Sequence, residues 1–346
     1  MKVKIILKYS GLVLLIVLLI LGLWQRQLVY YGWMQLKGQL RVLNEAIPLE
    51  EFLDLPTTTE DQKEKVKIIL EAKEFAFEKL GINYSENYSK IYDQEGEPSM
   101  YVVTACRPFA FQPRMWKFPV VGSVPYKGFF DLTKARREAQ KVVEGGEWEV
   151  DIRTAGGWST LGWFQDPVLS NMLNRSEGDL ASLIIHELTH GTLFVKDSVT
   201  FNENLASFIG DKGAIMFLED KYGEGSSQVN EFRNNLYDEV KFKNYMLKSA
   251  KHLDSVYKEV ADKDESIKMS EKSEALKEIR SNYDTLTFKS QRYLGYFDDR
   301  TPKNTFFMSM LRYNSQQELL ERELQKDYNG DLLTYLNDLK KRFPSL

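Results

Sequence analysis

Residues 186 to 190 read HELTH and hold two of the chain's three histidines, His186 and His190; the third is His252. On a helix, positions four apart share a face, so both imidazoles can aim at one centre. Two neutral imidazoles meeting at a point suit Zn²⁺. Glu187, between them, would then stand beside a water held by the metal. This is the H-E-x-x-H arrangement, in which the glutamate is the general base of a metalloprotease. So short a pattern also arises by chance, and its surroundings must decide.

A catalytic zinc commonly has three protein ligands and one open position. His252 is one candidate for the third ligand. It sits in KSAKHLDSVYKE, a charged helical stretch in which an ordinary surface histidine is the plainer reading. Glu203, in FNENLASF, is the other, thirteen residues past His190 on the next expected helix. Two helices joined by a short loop can place two histidines and a glutamate around one ion. The competing reading is a capping box, Thr200-x-x-Glu203, whose glutamate needs no metal. A metzincin would need glycine at 193 and histidine at 196; the chain has Leu193 and Lys196.

The elements that must carry these residues can be read from pattern. TTEDQKEKVKIILEAKEFAFEKLG is an amphipathic helix with a Thr59–Gln62 capping box and a stop at Gly81. SMYVVTACR and KFPVVGSVPYKGFFD read as strands, LTKARREAQKVVEGG as a helix and EWEVDIRT as a strand. From Ser176 the chain turns helical. Ser176 and Asp179 can cap the HELTH helix, and a second helix covers FNENLASFIGDKGAIMFLEDKYG. Residues 226–290 predict a long helical hairpin broken near ADKDES, and residues 305–343 predict two more helices. The expected fold is α+β: a mixed module, residues 26–175, packed on a helical zinc-binding part, residues 176–346, as one metallopeptidase domain.

Composition narrows the chemistry. A single cysteine, Cys106, excludes an internal disulfide and a cysteine-rich zinc site. The formal charge is −4; setting aside Lys2, Lys4 and Lys8 leaves 43 basic against 50 acidic residues. An acidic body argues against nucleic acid as a partner. There is no P-loop, dinucleotide fingerprint or internal repeat. The Lys- and Glu-rich hairpin reads as a solvated face that could also receive a protein partner.

The N-terminus, KVKIILKYSGLVLLIVLLILGLWQRQ, carries an apolar run that would span ~30 Å as a helix. It ends without the small-residue site of a cleaved signal peptide. Residues 1–25 are therefore expected to be a single-pass transmembrane anchor. The lysines before it place the N-terminus in the cytoplasm and the body outside, which in a bacterium means the outer face of the inner membrane.

At this point the chain resembles the bacterial "putative aminopeptidase" family, gluzincin-like proteins attached to the membrane near the N-terminus. The likeness rests on YYGWMQLKGQLRVL, WKFPVVGSVPYKGFFD, STLGWFQDPVLSNML and LASLIIHELTHGTLFVKDSVTFNENLASFIGDKG. It implies one zinc per chain on His186, His190 and Glu203, with Glu187 as the base. The chain departs from the family in lacking a lipidated cysteine and in having Gly157 and Trp158 where a small residue and tyrosine are usual. The resemblance also implies that residues 156–166, GGWSTLGWFQD, form an edge strand pairing with substrate backbone. An ordinary core strand is the alternative there. Trp158, Thr160 and Asp166 are its candidate substrate-binding residues, with Asp166 as a carboxylate for the substrate's α-amine. Tyr313 is a candidate oxyanion donor. The expected activity is zinc-dependent peptide hydrolysis, probed as aminopeptidase against two alternatives: an endopeptidase, or a tethered scaffold that keeps a metal without turnover.

Overall fold

The computed structural model describes residues 25–118, 122–154, 165–196, 198–298, 301–313 and 317–343. The described residues open on α1 (Arg26–Glu45), β1 (Ile47–Pro48) and the short α2 (Leu49–Asp54). The amphipathic helix α3 (Glu60–Lys79) has the expected capping box: Thr59 Oγ1 accepts the Gln62 N–H at 3.2 Å, and Gln62 Oε1 accepts the Thr59 N–H at 2.9 Å. Gly81, at φ +72°, takes the left-handed turn that closes it.

The strand module follows: β2 (Lys90–Tyr92), β3 (Tyr101–Cys106), β4 (Trp116–Phe118), β5 (Gly122–Val124), β6 (Tyr126–Phe129), α4 (Leu132–Glu144), β7 (Glu149–Thr154) and β8 (Val168–Leu169). β3 pairs antiparallel with both β6 and β7, so Val103 faces Lys127 on one side and Ile152 on the other. α4 closes one face of this sheet, burying Val103, Ala105, Trp116, Phe129, Ala135 and Val142 together. A second small sheet, in the order β1-β2-β8, carries the chain towards the helical part.

A 3₁₀ turn (Ser170–Asn174) leads into α5 (Glu177–Thr192), α6 (Val199–Tyr222), the hairpin α7 (Ser227–Glu259) and α8 (Glu265–Tyr283), then α9 (Asn304–Tyr313), α10 (Gln317–Tyr328) and α11 (Leu332–Arg342). Among the described residues the C-terminal stretch thus makes three helices rather than the two expected. Asn329 and Gly330, at φ +53° and +81°, break it, and Asp331 caps the third. Such an Asn-Gly pair is a turn signal legible in the sequence. The main core draws on both parts of the chain, from Leu49, Ile69 and Leu80 to Ile184, Ile185, Leu205 and Leu336. The hairpin buries its own aromatic core, which Phe109 and Phe111 of the strand module join. Lys272 anchors that contact. Its Nζ donates to Pro108 O at 2.7 Å and pairs with Glu149, so the buried ammonium is compensated.

The transmembrane helix expected over residues 1–25, and the single-pass membrane localisation with it, are corrected. Among the described residues no helix is long and apolar enough to cross a membrane. The first described helix, α1, is long enough but carries Arg26, Lys37, Arg41 and Glu45, and ionised side chains at that density oppose burial in lipid. Residues 1–24, on which the expectation rested, lie outside the described residues.

Candidate metal centre

α5 begins where Ser176 Oγ accepts the Asp179 N–H at 3.3 Å. Its apolar face, Leu180, Ala181, Ile184, Ile185 and Leu188, is fully inside the core. Burial of each such large side chain stabilises by ~1.5–3 kcal/mol, so the helix is fixed in rotation. That fixes where its polar residues point. His186 and His190 leave the helix together, with Nε2 atoms 3.1 Å apart.

α6 returns along α5. The turn between them is clamped by Asn202, whose Oδ1 accepts the Val195 N–H and whose Nδ2 donates to Val195 O, both at 2.8 Å. Glu203 is the next residue. Its Oε2 lies 3.7 Å from His186 Nε2, and its Oε1 lies 3.7 Å from His190 Nε2. The capping-box reading of Glu203 fails on the helix start. α6 begins at Val199 after Ser198, which makes no side-chain cap. Thr200 is already inside the helix, two residues past its N-cap.

Close approach of the two helices depends on Gly210. A Cβ there would lie 2.7 Å from Ser182 O and 3.2 Å from His186 Cβ. The backbone carbonyl cannot step aside as a flexible side chain would, so any larger residue would separate Glu203 from the histidines. Beside this contact, Ser182 Oγ donates to Asp211 Oδ1 at 2.8 Å, and Ser207 Oγ lies 3.4 Å from His186 Nδ1.

His186, His190 and Glu203 form a group able to hold a metal ion, with one ligand atom from each within 4.8 Å of the others. Zinc bonds of ~2.0–2.1 Å in a tetrahedron put ligand atoms ~3.3 Å apart. The imidazole nitrogens stand 3.1 Å apart, close to that value, and each Glu203 oxygen lies 3.7 Å from a different imidazole. Burial holds His186 down to about 3, with His190 adding to the effect, and His190 down to about 4. Both rings therefore keep a lone pair free at neutral pH, as a metal ligand must. Burial also raises Glu203 above the usual carboxylate range.

Glu187 faces a different set of neighbours. Burial first, then the Glu203 and Asp166 carboxylates, lift it to about 7, against a lowering influence from Arg175. Asp166 is 1% exposed. Its N–H donates to Asn87 Oδ1 at 3.1 Å, and its carbonyl accepts the Tyr88 N–H at 2.7 Å. Tyr88 is equally buried and holds φ +60°, a sterically costly conformation for a large side chain. Tyr88, Ser207 and Arg175 all escaped the sequence reading. Ser207 had a signal, since it lies one turn past Glu203 on the row facing α5. Tyr88, in a loop remote in sequence from α5, had none.

The other expected site residues fall elsewhere. His252 is an exposed hairpin residue 3.4 Å from Glu278, remote from the metal group. Trp158 and Thr160 lie outside the described residues, and α9 ends at Tyr313, whose side chain also lies outside them.

Asp211 allows a test of the α5–α6 contact. Burial, with Glu239 and Asp179 against Lys243, pushes its carboxyl from 3.8 up to about 7. Between those values the folded chain holds a proton that the unfolded chain has released. The stability contributed is therefore complete below 3.8 and is lost as pH rises through 7. In metal-stripped protein, the urea midpoint of wild type relative to Asp211→Asn should fall across that window. A constant difference would contradict it.

Sequence comparison meets this geometry from outside. A family model described as "Putative aminopeptidase" matches residues 30–343. The chain belongs to that family, and a peptidase-like function follows at family level. No curated protein and no solved structure matches it.

Proposed function

We propose that the chain is a zinc-dependent aminopeptidase. The observation that carries the reading is the His186–His190–Glu203 group, with Glu187 buried beside it. Its donor set suits zinc: two unprotonated imidazoles and a carboxylate gathered at one point. Bound there, zinc would supply a nucleophile potent at neutral pH and polarise the scissile carbonyl. Glu187 is not a ligand in this scheme. It takes the proton of the attacking water and delivers it to the leaving amine. Arg175, Asp166 and Tyr88 set the electrostatic surroundings of that carboxyl.

An aminopeptidase must also meet a charged α-amine. Asp166 is the proposed anchor. The test compares free and N-acetylated peptides on wild type and Asp166→Asn. Free peptides should be cleaved far faster by wild type, and the variant should lose much of that preference. Internal cleavage of blocked peptides as fast as free ones would identify an endopeptidase instead.

A further inference from the structure

A groove of 490 Å³ lies between α6, α7 and α10, and none of its lining residues belongs to the metal group. Its wall is largely apolar, formed by Phe208, Ile215, Leu236 and Val240. Cavities of ~300–1,000 Å³ with apolar walls and a few placed polar groups are the usual form of small-molecule sites. Its charged rim holds three carboxylates, Asp211, Glu318 and Glu321, against two cations, Lys212 and Arg322, so the carboxylates are in excess by one.

The surroundings of Asp211 leave it short of positive charge. Its hydrogen-bond partner is a hydroxyl, Ser182. Lys212, beside it in sequence, is 2.8 Å from Glu321, and Lys243 is 2.5 Å from Glu239. Arg292 is committed to Asp179. Arg322, on the α10 wall, stands one turn from Glu318 on the same helix face. Glu239 and Asp179 add negative potential at Asp211. A buried carboxylate has already lost its hydration on folding, so a cation that hydrogen-bonds to it must offset chiefly its own desolvation.

We propose that this groove is a second ligand site, for a small apolar molecule bearing one primary ammonium. The hydrocarbon lies against Phe208, Ile215, Leu236 and Val240, and the ammonium meets Asp211. The site is independent of the metal chemistry, because none of its residues is a ligand or the base.

The experiment titrates the zinc-loaded full chain with hexylammonium and with hexan-1-ol, its neutral counterpart, by calorimetry. The buffer is held at about pH 8, where the amine is charged and a carboxyl is ionised. Hexylammonium should saturate and bind at least ~10-fold tighter than the alcohol, as a charge-assisted hydrogen bond implies. Asp211→Asn, which preserves shape, should remove that preference and leave the alcohol unchanged. Val240→Trp, at a rim position 56% exposed and tolerant of change, should weaken both ligands. Absence of saturation, equal affinity for amine and alcohol in wild type, or a preference that survives Asp211→Asn would each overturn the proposal.

Discussion

Glu187→Gln should bind zinc as wild type does and hydrolyse peptides ~10²–10⁴-fold more slowly, the range of a lost general acid–base group. The variant separates two functions that lie one residue apart in sequence. His186 presents Nε2 to the metal group, whereas the Glu187 carboxyl faces Asp166 and Arg175 as well as Glu203. Glutamine keeps the shape and burial of the side chain, removes its charge, and cannot carry the proton. Packing around it should be undisturbed, so the thermal midpoint should hold or rise. A rise is reasonable, because burial penalises the ionised carboxyl that the amide replaces. Turnover near the wild-type rate would remove Glu187 from the chemistry. Simultaneous loss of zinc would make it a ligand or a structural residue.

Glu203→Ala should lose zinc affinity by more than the ~10–100-fold that a merely supporting residue costs. Its oxygens close the triangle with His186 and His190, each 3.7 Å from an imidazole nitrogen. Truncation leaves two ligands, both from one helix, and frees α6 from any electrostatic tie to α5 at that point. Folding should survive. Gly210, the Ser182–Asp211 hydrogen bond and the buried Leu205, Ala206 and Ile209 hold the helix pair without Glu203. Competition with a chromophoric chelator measures the affinity. Full zinc occupancy in the variant at chelator concentrations that strip His186→Ala would show that the third ligand lies elsewhere.

Much of this site was legible because its residues are local. HELTH declares two imidazoles one turn apart, and Ser176 marks the start of their helix. Glu203 was harder. Its alternative as a capping residue turned on whether α6 starts before or after Thr200. That start is set by the Asn202 clamp on Val195, a contact that no propensity reveals. Tyr88 reaches Glu187 through the folding of a distant segment, of which sequence spacing holds no trace, whereas Arg175 stands just before the Ser176 cap of the same helix. The helix pattern served well where capping chemistry is explicit, as at Thr59 and Gln62. It undercounted at the C-terminus, where three described helices stand in place of two. It failed differently at the N-terminus, where an apolar run suggested an anchor that no described helix supports.

The central claim is that this chain cleaves peptides through a metal held by His186, His190 and Glu203. The most direct measurement is hydrolysis of a free-amine peptide before and after zinc is stripped by chelation and returned. Activity should fall to the uncatalysed level on stripping and return in full with one equivalent of zinc per chain. Turnover that persists in metal-free protein, or none in zinc-loaded protein, would contradict the account.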